Sequence, residues 1–375
     1  MTNQPMPPDP QLIERFETQQ LEHAITGITP LSYDGRKNRV SMKNQILNVG
    51  RAVEQSLGQR AAGDLRRRLE EVAEDLRLIQ RPASWCVLTD GRDYESLVIP
   101  TPFPERVMVD TRYYVRPLIQ ALAVHAEFLV LALSQGDVRL YRISGEQMVE
   151  QQVAALPGSL TEVVGQEVEP QSLHHHVAGG AIFNAQGKGH DDRDPELEQF
   201  VGAVDRAITD DPQLRQQHLM VAAVEELDAL YRLLSHHRLL LSVPIRLSPD
   251  QTRPEELRRA ALEAFSQWRV ADNRAFFTAL QEDPNHTTDI ERIVRASIEG
   301  RVDTLMVDQD RSLWGRFDPD TWEVTLYDER EPLSRDLMDT AVRATWRQSG
   351  TIRILDGQQR ESLGMDSLVL ARLRY

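Results

Sequence analysis

The sequence predicts an α/β (α+β) protein with three domains. Its length of 375 residues is more than one domain commonly has, since domains typically span ~100–200 residues. Its composition, 41% hydrophobic and 27% charged, is ordinary for a globular protein. Apolar residues recur at helical spacing in some segments and fall into short strand-like runs in others. We expect a flexible leader over residues 1–20 and domains at 21–122, 123–284 and 285–375.

The first domain opens with a short strand and turn, ITPLSYDG. Two amphipathic helices follow, and in the first of them Met42, Ile46 and Val49 share one face. The next segments, WCVLTDG, YESLVIP and RVMVDTRYYV, are extended runs separated by glycine and prolines. This order predicts an α/β domain that ends near residue 120.

The middle domain begins with two strands around a turn in EFLVLALSQGDVRLYRIS. A third strand and a glycine-bearing loop precede a helix at 195–208, a strand at 218–224, a helix at 225–234 and a long helix at about 254–280. Strand pairs followed by strand–helix alternation predict a mixed sheet covered by helices.

The last domain has the order α-β-α-β-β. We expect helices at 289–300 and 334–350 and strands at 302–308, 351–356 and 367–375. These elements predict an α/β/α sandwich.

The formal charge of −15 is unevenly distributed. Residues 1–120 carry 16 basic and 16 acidic groups, whereas residues 121–284 carry 14 and 25. The first segment, which has no net charge, can therefore contact RNA, while the acidic middle segment cannot form a general RNA-binding surface. No apolar run of about 20 residues and no signal-peptide pattern occur, which predicts a cytoplasmic protein with no membrane partner.

The single cysteine, Cys86, lies in the run SWCVL. It excludes an intrachain disulfide and fits a reducing compartment. A catalytic thiol is one alternative, but a small buried hydrophobe is the interpretation we favour.

The stretch 173-LHHHVAGGAIFNAQGKGHDDRD-194 leaves three interpretations open. It could bind a metal through His174 and His176 with His190 and the acids after it, although the spacing is not that of a helical zinc motif. Its GKG segment could cradle a phosphate, but acids follow where phosphate charge would lie. We favour a flexible loop that uses Lys188 and backbone amides against RNA, with no cofactor.

A two-metal nuclease is disfavoured by the middle-domain strands. EFLVLALS and HLMVAAV carry no interior carboxylate. The helical acids Asp205, Glu225, Glu226 and Asp228 are expected to face solvent.

An ordered set of segments resembles the bacterial members of the archaeo-eukaryotic release factor and Pelota superfamily. In the first domain these are ITPLSYDG, KNQIL, W-x-V-x-x-D-G at 85–91 and V-x-V-x-x-x-Y-x-V-R-P-L at 107–118. Later come EFLVLALSQGDVRLYRIS, the glycine-bearing loop, SIEGRVDTLMVD and the terminal ARLRY. The resemblance covers nearly the whole chain.

The resemblance implies a specialised N-terminal domain, a ribonuclease H-like middle domain and a C-terminal domain similar to kink-turn-binding ribosomal proteins. It also implies a stress-response factor in the ribosomal A site, acting in rescue or hibernation, with ribosomal RNA, tRNA and a translational GTPase as candidate partners and no DNA. Termination factors of the family carry Gly-Gly-Gln on the middle-domain loop. Here the loop has Gly179-Gly180-Ala181, with Gln186 beyond. We therefore expect no peptidyl-tRNA hydrolysis and no enzymatic activity.

Two sets of residues are predicted to bind the ribosome. The loop set is His174, His175, His176, Gly179, Gly180, Gln186, Lys188 and His190. The second set of RNA contacts is Arg36, Lys37, Arg39, Lys43, Arg311, Trp314 and Arg316. For Trp314, packing across a hairpin is the alternative to base stacking. For the whole chain, the alternatives are a metal-dependent hydrolase or nuclease that uses the His/Asp-rich loop, and a protein–protein adaptor.

Overall fold

A computed structural model describes residues 8–125, 127–165, 195–331 and 334–375. Its internal contacts divide the chain into two units. The outer unit combines Met1–Ala126 with Val270–Tyr375, and the middle unit is Glu127–Arg269.

The first segment of the outer unit forms a helix-covered antiparallel sheet. Its elements are α1 (Pro10–Thr18), β1 (Ala24–Leu31), α2 (Gly35–Leu57), α3 (Gln59–Asp75), β2 (Ala83–Thr89), β3 (Tyr94–Ile99), β4 (Arg106–Asp110) and α4 (Arg116–Val124). The strand order is β3-β2-β1-β4.

The middle unit contains the mixed sheet that the sequence predicts. Its elements are β5 (Phe128–Leu133), β6 (Val138–Ser144), β7 (Gln147–Gln151), α5 (Leu160–Val164), α6 (Pro195–Thr209), β8 (His218–Ala223), α7 (Glu225–Leu234), β9 (Ile245–Arg246) and the start of α8 (Pro254–Leu280). The strand order is β7-β6-β5-β8-β9. The pairs β5/β6 and β6/β7 are antiparallel, whereas the pairs β5/β8 and β8/β9 are parallel.

Helices cover both faces of this middle sheet. On one face Leu129 and Leu131 of β5 pack into a core with Phe200 of α6 and Tyr231 of α7. Phe128, which points to the opposite face, stacks on Phe265 of α8 with 4.2 Å between ring centroids. The result is a mixed sheet covered by helices, as the order of elements in the sequence predicts.

The last segment of the outer unit builds two sheets. It consists of β10 (His286–Thr287), α9 (Ile290–Ile298), β11 (Val302–Asp308), β12 (Trp314–Phe317), β13 (Val324–Tyr327), β14 (Arg335–Asp336), α10 (Leu337–Arg347), β15 (Thr351–Leu355), α11 (Gly357–Leu363) and β16 (Val369–Leu373). The larger sheet has the order β10-β16-β11-β15, and the smaller one β13-β12-β14. The mixed α/β fold class is thus confirmed.

Alternating residues of β2 face two different cores. Trp85 and Val87 pack with α2 and α3, whereas Cys86 and Leu88 belong to a second core. That second core also contains Ile293 of α9 and many other residues of the last segment. The first and last segments therefore share one hydrophobic core. Three separate domains with the expected boundaries remain a prediction.

Two sequence-based expectations are wrong in part. The supposed flexible leader contains α1, which Asp9 caps and which buries Ile13 and Phe16. The extended run at 106–115 ends as a strand at Asp110, and α4 begins at Arg116 with a proline in its first turn. The aromatic and β-branched residues before that proline favour a strand by their propensity. In the structure Tyr113, Tyr114 and Val115 instead pack into the core outside any strand.

Within the described ranges, no helix combines the length and apolarity needed to cross a membrane.

Candidate nucleic-acid interface

The predicted loop residues lie outside the described part of the chain. They are His174, His175, His176, Gly179, Gly180, Gln186, Lys188 and His190. Their role stays a prediction.

The structure brings the four N-terminal cations together on α2. Asp34 caps this helix, because its carboxylate accepts hydrogen bonds from the backbone N–H groups of Arg36 at 2.9 Å and Lys37 at 3.2 Å. Asn38 fixes the first turn against the rest of the fold by donating to the carbonyl oxygens of Ser32 and Ile79. The start of α2, and with it the backbone of these cationic residues, is therefore fixed by polar contacts.

A glycine lets α2 lie close against the sheet. A Cβ at Gly27 of β1 would lie 2.5 Å from both Gln45 Nε2 and Val49 Cγ2 of α2. Gln45 Nε2 also donates to the carbonyl oxygen of Arg106 on β4 at 3.1 Å. One face of α2 is thus held rigidly, and its opposite face is left to solvent.

That opposite face carries a basic stripe, which we define as Arg36, Arg39, Val40, Lys43 and Leu47. The spacing of three and four residues places all five on one side of the helix, and all five are exposed, Val40 by 61%. Among the described residues, none of the three cations forms an ion pair. The stripe therefore presents free positive charge interleaved with apolar surface.

Tyr33 lies three positions before Arg36, precedes the helix and is 73% exposed. An exposed aromatic ring beside free cations can stack on an unpaired base while the cations contact phosphates. Sequence reasoning missed Tyr33, although its place in the ITPLSYDG turn was a usable signal.

The second predicted group lies on and before β12. Arg311 and Arg316 are exposed, and in the described ranges neither has an ion-pair partner. Trp314 is half-buried, and the guanidinium carbons of Arg330 and Arg106 lie 5.4 and 5.9 Å from its ring centroid. The ring therefore already has cationic neighbours within the protein, which favours hairpin packing. Base stacking by Trp314 stays a prediction.

A buried ion network, absent from the sequence analysis, positions the segment that carries Arg311. Arg116 is 1% exposed and donates to Asp336 Oδ2 at 2.7 Å and to the carbonyl oxygen of Arg311 at 2.7 Å. Tyr114 and Ser312 donate to the same carboxylate oxygen. Burial raises the pKa of Tyr114, so its phenol stays a donor at neutral pH.

Two of the four helical acids are not solvent-facing, contrary to expectation. Asp205 is buried and accepts hydrogen bonds from Ser235 Oγ at 2.6 Å and His236 N at 3.0 Å. Asp228 is buried against Arg232, with both oxygens 2.9 Å from Nε. Both are structural because their lone pairs are taken by protein donors. Glu225 and Glu226 are exposed as expected.

No group of three His, Cys, Asp or Glu side chains suited to a metal ion occurs among the residues with described positions. Cys86 is buried, and burial raises its pKa to about 12. The thiol is therefore a packed hydrophobe, as predicted.

Comparison with known proteins bears on the middle unit most directly. Residues 127–301 match the model of bacterial archaeo-eukaryotic release factor family 3. This part of the chain is similar to that family. The match spans just under half of the 375 residues, and it confirms the resemblance to that family that the sequence indicates. No curated protein matches the chain.

Several solved structures also align with the chain at low similarity. The archaeal translation termination factor aRF1 is 10% identical, with 97% of this chain and 96% of that one covered and a TM-score of 0.22. Pelota of Archaeoglobus fulgidus is 12% identical over 78% and 79%, with a TM-score of 0.34. Dom34 of S. cerevisiae is 12% identical over 78% and 79%, with a TM-score of 0.35. All three scores lie below 0.5, so the similarity to release factors rests on the family match over residues 127–301.

Proposed function

We propose that the protein is a noncatalytic translation factor that binds the ribosome in rescue or hibernation. The observation that carries the proposal is the match of residues 127–301 to a release factor family. The basic stripe on α2 supports it, since free cations on a rigid helix are suited to phosphate contacts in structured RNA. The acidic middle of the chain confines such contacts to a few places.

In this proposal the outer unit provides the affinity for the ribosome, and the loop is the part directed at the ribosomal active centre. The stripe and Tyr33 hold ribosomal RNA, while residues 173–194 extend toward the peptidyl-transferase centre. The sequence contains no Gly-Gly-Gln tripeptide anywhere, so the loop acts without hydrolysing peptidyl-tRNA. A translational GTPase partner and a cytoplasmic location belong to the same proposal.

Sucrose-gradient sedimentation tests ribosome binding. We expect the protein to migrate with ribosomes in extracts of stressed cells and with purified ribosomes. If it stays at the top of the gradient in growing and stressed cells alike, and purified ribosomes do not retain it, the proposal is wrong.

A charge-reversal variant tests the role of the stripe. Arg36→Glu/Arg39→Glu/Lys43→Glu should weaken ribosome binding on the order of 10- to 100-fold and lower the salt slope by about three, roughly one for each lost phosphate contact. The matched control is Arg253→Glu/Arg259→Glu/Arg274→Glu, which makes the same change in net charge at exposed arginines of and next to α8. Equal loss in both variants would indicate a general charge effect and contradict a specific stripe.

A peptidyl-tRNA release assay tests the missing chemistry. With a Gly-Gly-Gln-containing factor as positive control, we expect no release above that of ribosomes alone. Release that depends on Gln186 would overturn the noncatalytic assignment.

The metal-dependent alternative concerns residues outside the described ranges. Metal analysis of protein purified without a histidine tag distinguishes it. Stoichiometric zinc or manganese that is lost in His174→Ala/His176→Ala would favour that alternative.

A further inference from the structure

A cavity of about 410 Å³ lies within the outer unit. Its volume falls in the range of ~300–1,000 Å³ that is typical of small-molecule sites. The part of its wall that is apolar or aromatic is formed by Met108, Tyr113, Tyr114, Ile298, Phe317, Pro319 and Ala344. The rest consists of four arginines, four carboxylates and two neutral polar side chains.

Four arginines line the cavity, and three of them have protein partners. Arg335 donates to Asp110 Oδ1 at 2.9 Å, and Arg347 Nε lies 3.5 Å from Glu17 Oε2. Arg343 pairs with Asp339 at 3.4 Å and donates to the carbonyl oxygens of Glu17 and Tyr113. These contacts hold three guanidinium groups in fixed positions around the cavity.

The fourth arginine, Arg112, has no hydrogen bond or ion pair with any residue whose position is described. Burial and the nearby guanidinium groups of Arg343 and Arg335 lower its pKa, and the carboxylates of Glu17 and Asp110 oppose this shift only in part. An anion would stabilise the half-buried guanidinium group of Arg112 beside those of Arg343 and Arg335. The cavity gives an anion access to Arg112.

The cavity wall also contains a buried acceptor that lacks a donor. Glu17 is buried, and its Oε1 has no hydrogen-bond partner among the described residues. A buried carboxylate oxygen without a donor costs free energy, about 1–3 kcal/mol or more for a charged group. A ligand that carries a hydroxyl group would supply the donor.

We propose that this cavity binds a small organic phosphate, with the phosphoryl group against Arg112 and a hydroxyl group donating to Glu17. A phosphate monoester suits the site because it carries up to two negative charges and several acceptor oxygens that match guanidinium groups. The apolar wall is left to contact the carbon skeleton. This site is separate from the basic stripe, and its ligand is independent of ribosome binding.

Isothermal titration calorimetry on the full chain tests the site with three probes: inorganic phosphate, ribose 5-phosphate and AMP. We expect ribose 5-phosphate and AMP to bind more tightly than inorganic phosphate, and ribose and adenosine not to bind. Malate serves as a carboxylate probe, and binding of malate equal to that of ribose 5-phosphate would overturn the assignment to phosphate.

Two variants separate the two halves of the site. Arg112→Gln should weaken all three phosphates by about 10-fold or more, the size of one charge-assisted hydrogen bond. Glu17→Gln should weaken ribose 5-phosphate and AMP but leave inorganic phosphate within about 2-fold. The exposed Arg60→Gln is the control and should change nothing.

Arg112→Lys keeps the charge and should retain part of the affinity, which covers the case in which Arg112→Gln fails to fold. Absence of binding by every phosphate probe to the wild-type chain overturns the proposal, as does unchanged affinity in Arg112→Gln. Ribosome binding by Arg112→Gln should equal that of the wild type, so the two proposals can fail separately.

Discussion

At the scale of single residues, Arg116 links parts of the chain that are far apart in sequence. Its guanidinium group reaches Asp336 and the carbonyl oxygens of Asp308 and Arg311, about 200 positions away. No periodicity or motif marks such a partner, because the contact exists only after the first and last segments have packed together. Sequence analysis could therefore not find it.

Replacing Arg116 with methionine should lower the free energy of unfolding by about 3–5 kcal/mol, because buried Asp336 would lose its nearest cation at 2.7 Å and keep only Arg106 at 3.7 Å. Urea denaturation measures the change. The control is Arg15→Met, which breaks a surface pair with Glu95 at 2.8 Å and should cost less than about 1 kcal/mol. A loss below about 1 kcal/mol in Arg116→Met would show that the network adds little to stability.

His237 predicts a pH dependence of the middle unit. Burial lowers its pKa from 6.5, only partly opposed by the hydrogen bond to Leu214 and by Asp205. Its Nδ1 accepts from Leu239 N at 3.3 Å, a contact that protonation would abolish. The folded state thus binds this proton less readily than the unfolded state does.

Stability should therefore fall as the pH drops through about 6.5 toward the lower folded-state pKa, and this contribution should be constant above that range. Urea denaturation of the wild type and His237→Gln over a pH series measures it. The slope of stability against pH should be smaller in the variant, and identical slopes would contradict the prediction.

At the scale of elements, the cap of α2 offers a direct test of how the stripe is held. Asp34→Ala should cost about 0.5–2 kcal/mol, since two backbone N–H groups lose their acceptor. Asp34→Asn keeps a side-chain oxygen that can accept these hydrogen bonds, so it should cost only a few tenths of a kcal/mol. If Asp34→Ala unfolds at the same urea concentration as the wild type, the cap does not stabilise α2.

Long elements with clear periodicity could be predicted from sequence. The helix at 225–234, the long helix at 254–280 and the strand at 302–308 have the expected bounds. The short helices α1 and α4 were missed, because nine residues give little periodicity and tertiary packing decides their conformation. The cations of α2 could be grouped in advance because helical spacing fixes which residues share a face.

At the scale of the whole molecule, the shared core makes the first and last segments interdependent. Ile28 and Leu118 pack in one cluster with Ile293 and Val342. This pairing of segments was not predicted, because sequence order suggests separate domains and only packing reveals a common core. The middle unit, in contrast, has a core of its own.

Fragments should reflect this difference. Residues 127–269 should unfold cooperatively in urea, as followed by circular dichroism, whereas residues 1–126 alone should bind a hydrophobic dye and unfold without a clear transition. A stable, cooperatively folding monomer of residues 1–126 would show that the shared core is dispensable.

The buried Cys86 has a practical consequence for studying the protein on its target. The native chain should not react with a maleimide at neutral pH, because the thiol is 1% exposed and its pKa is about 12. A cysteine placed at Lys188 or Lys43 would then be the single site of fluorescent labelling, without removal of the native one. Energy transfer from either label to a labelled ribosome could follow the loop and the stripe independently.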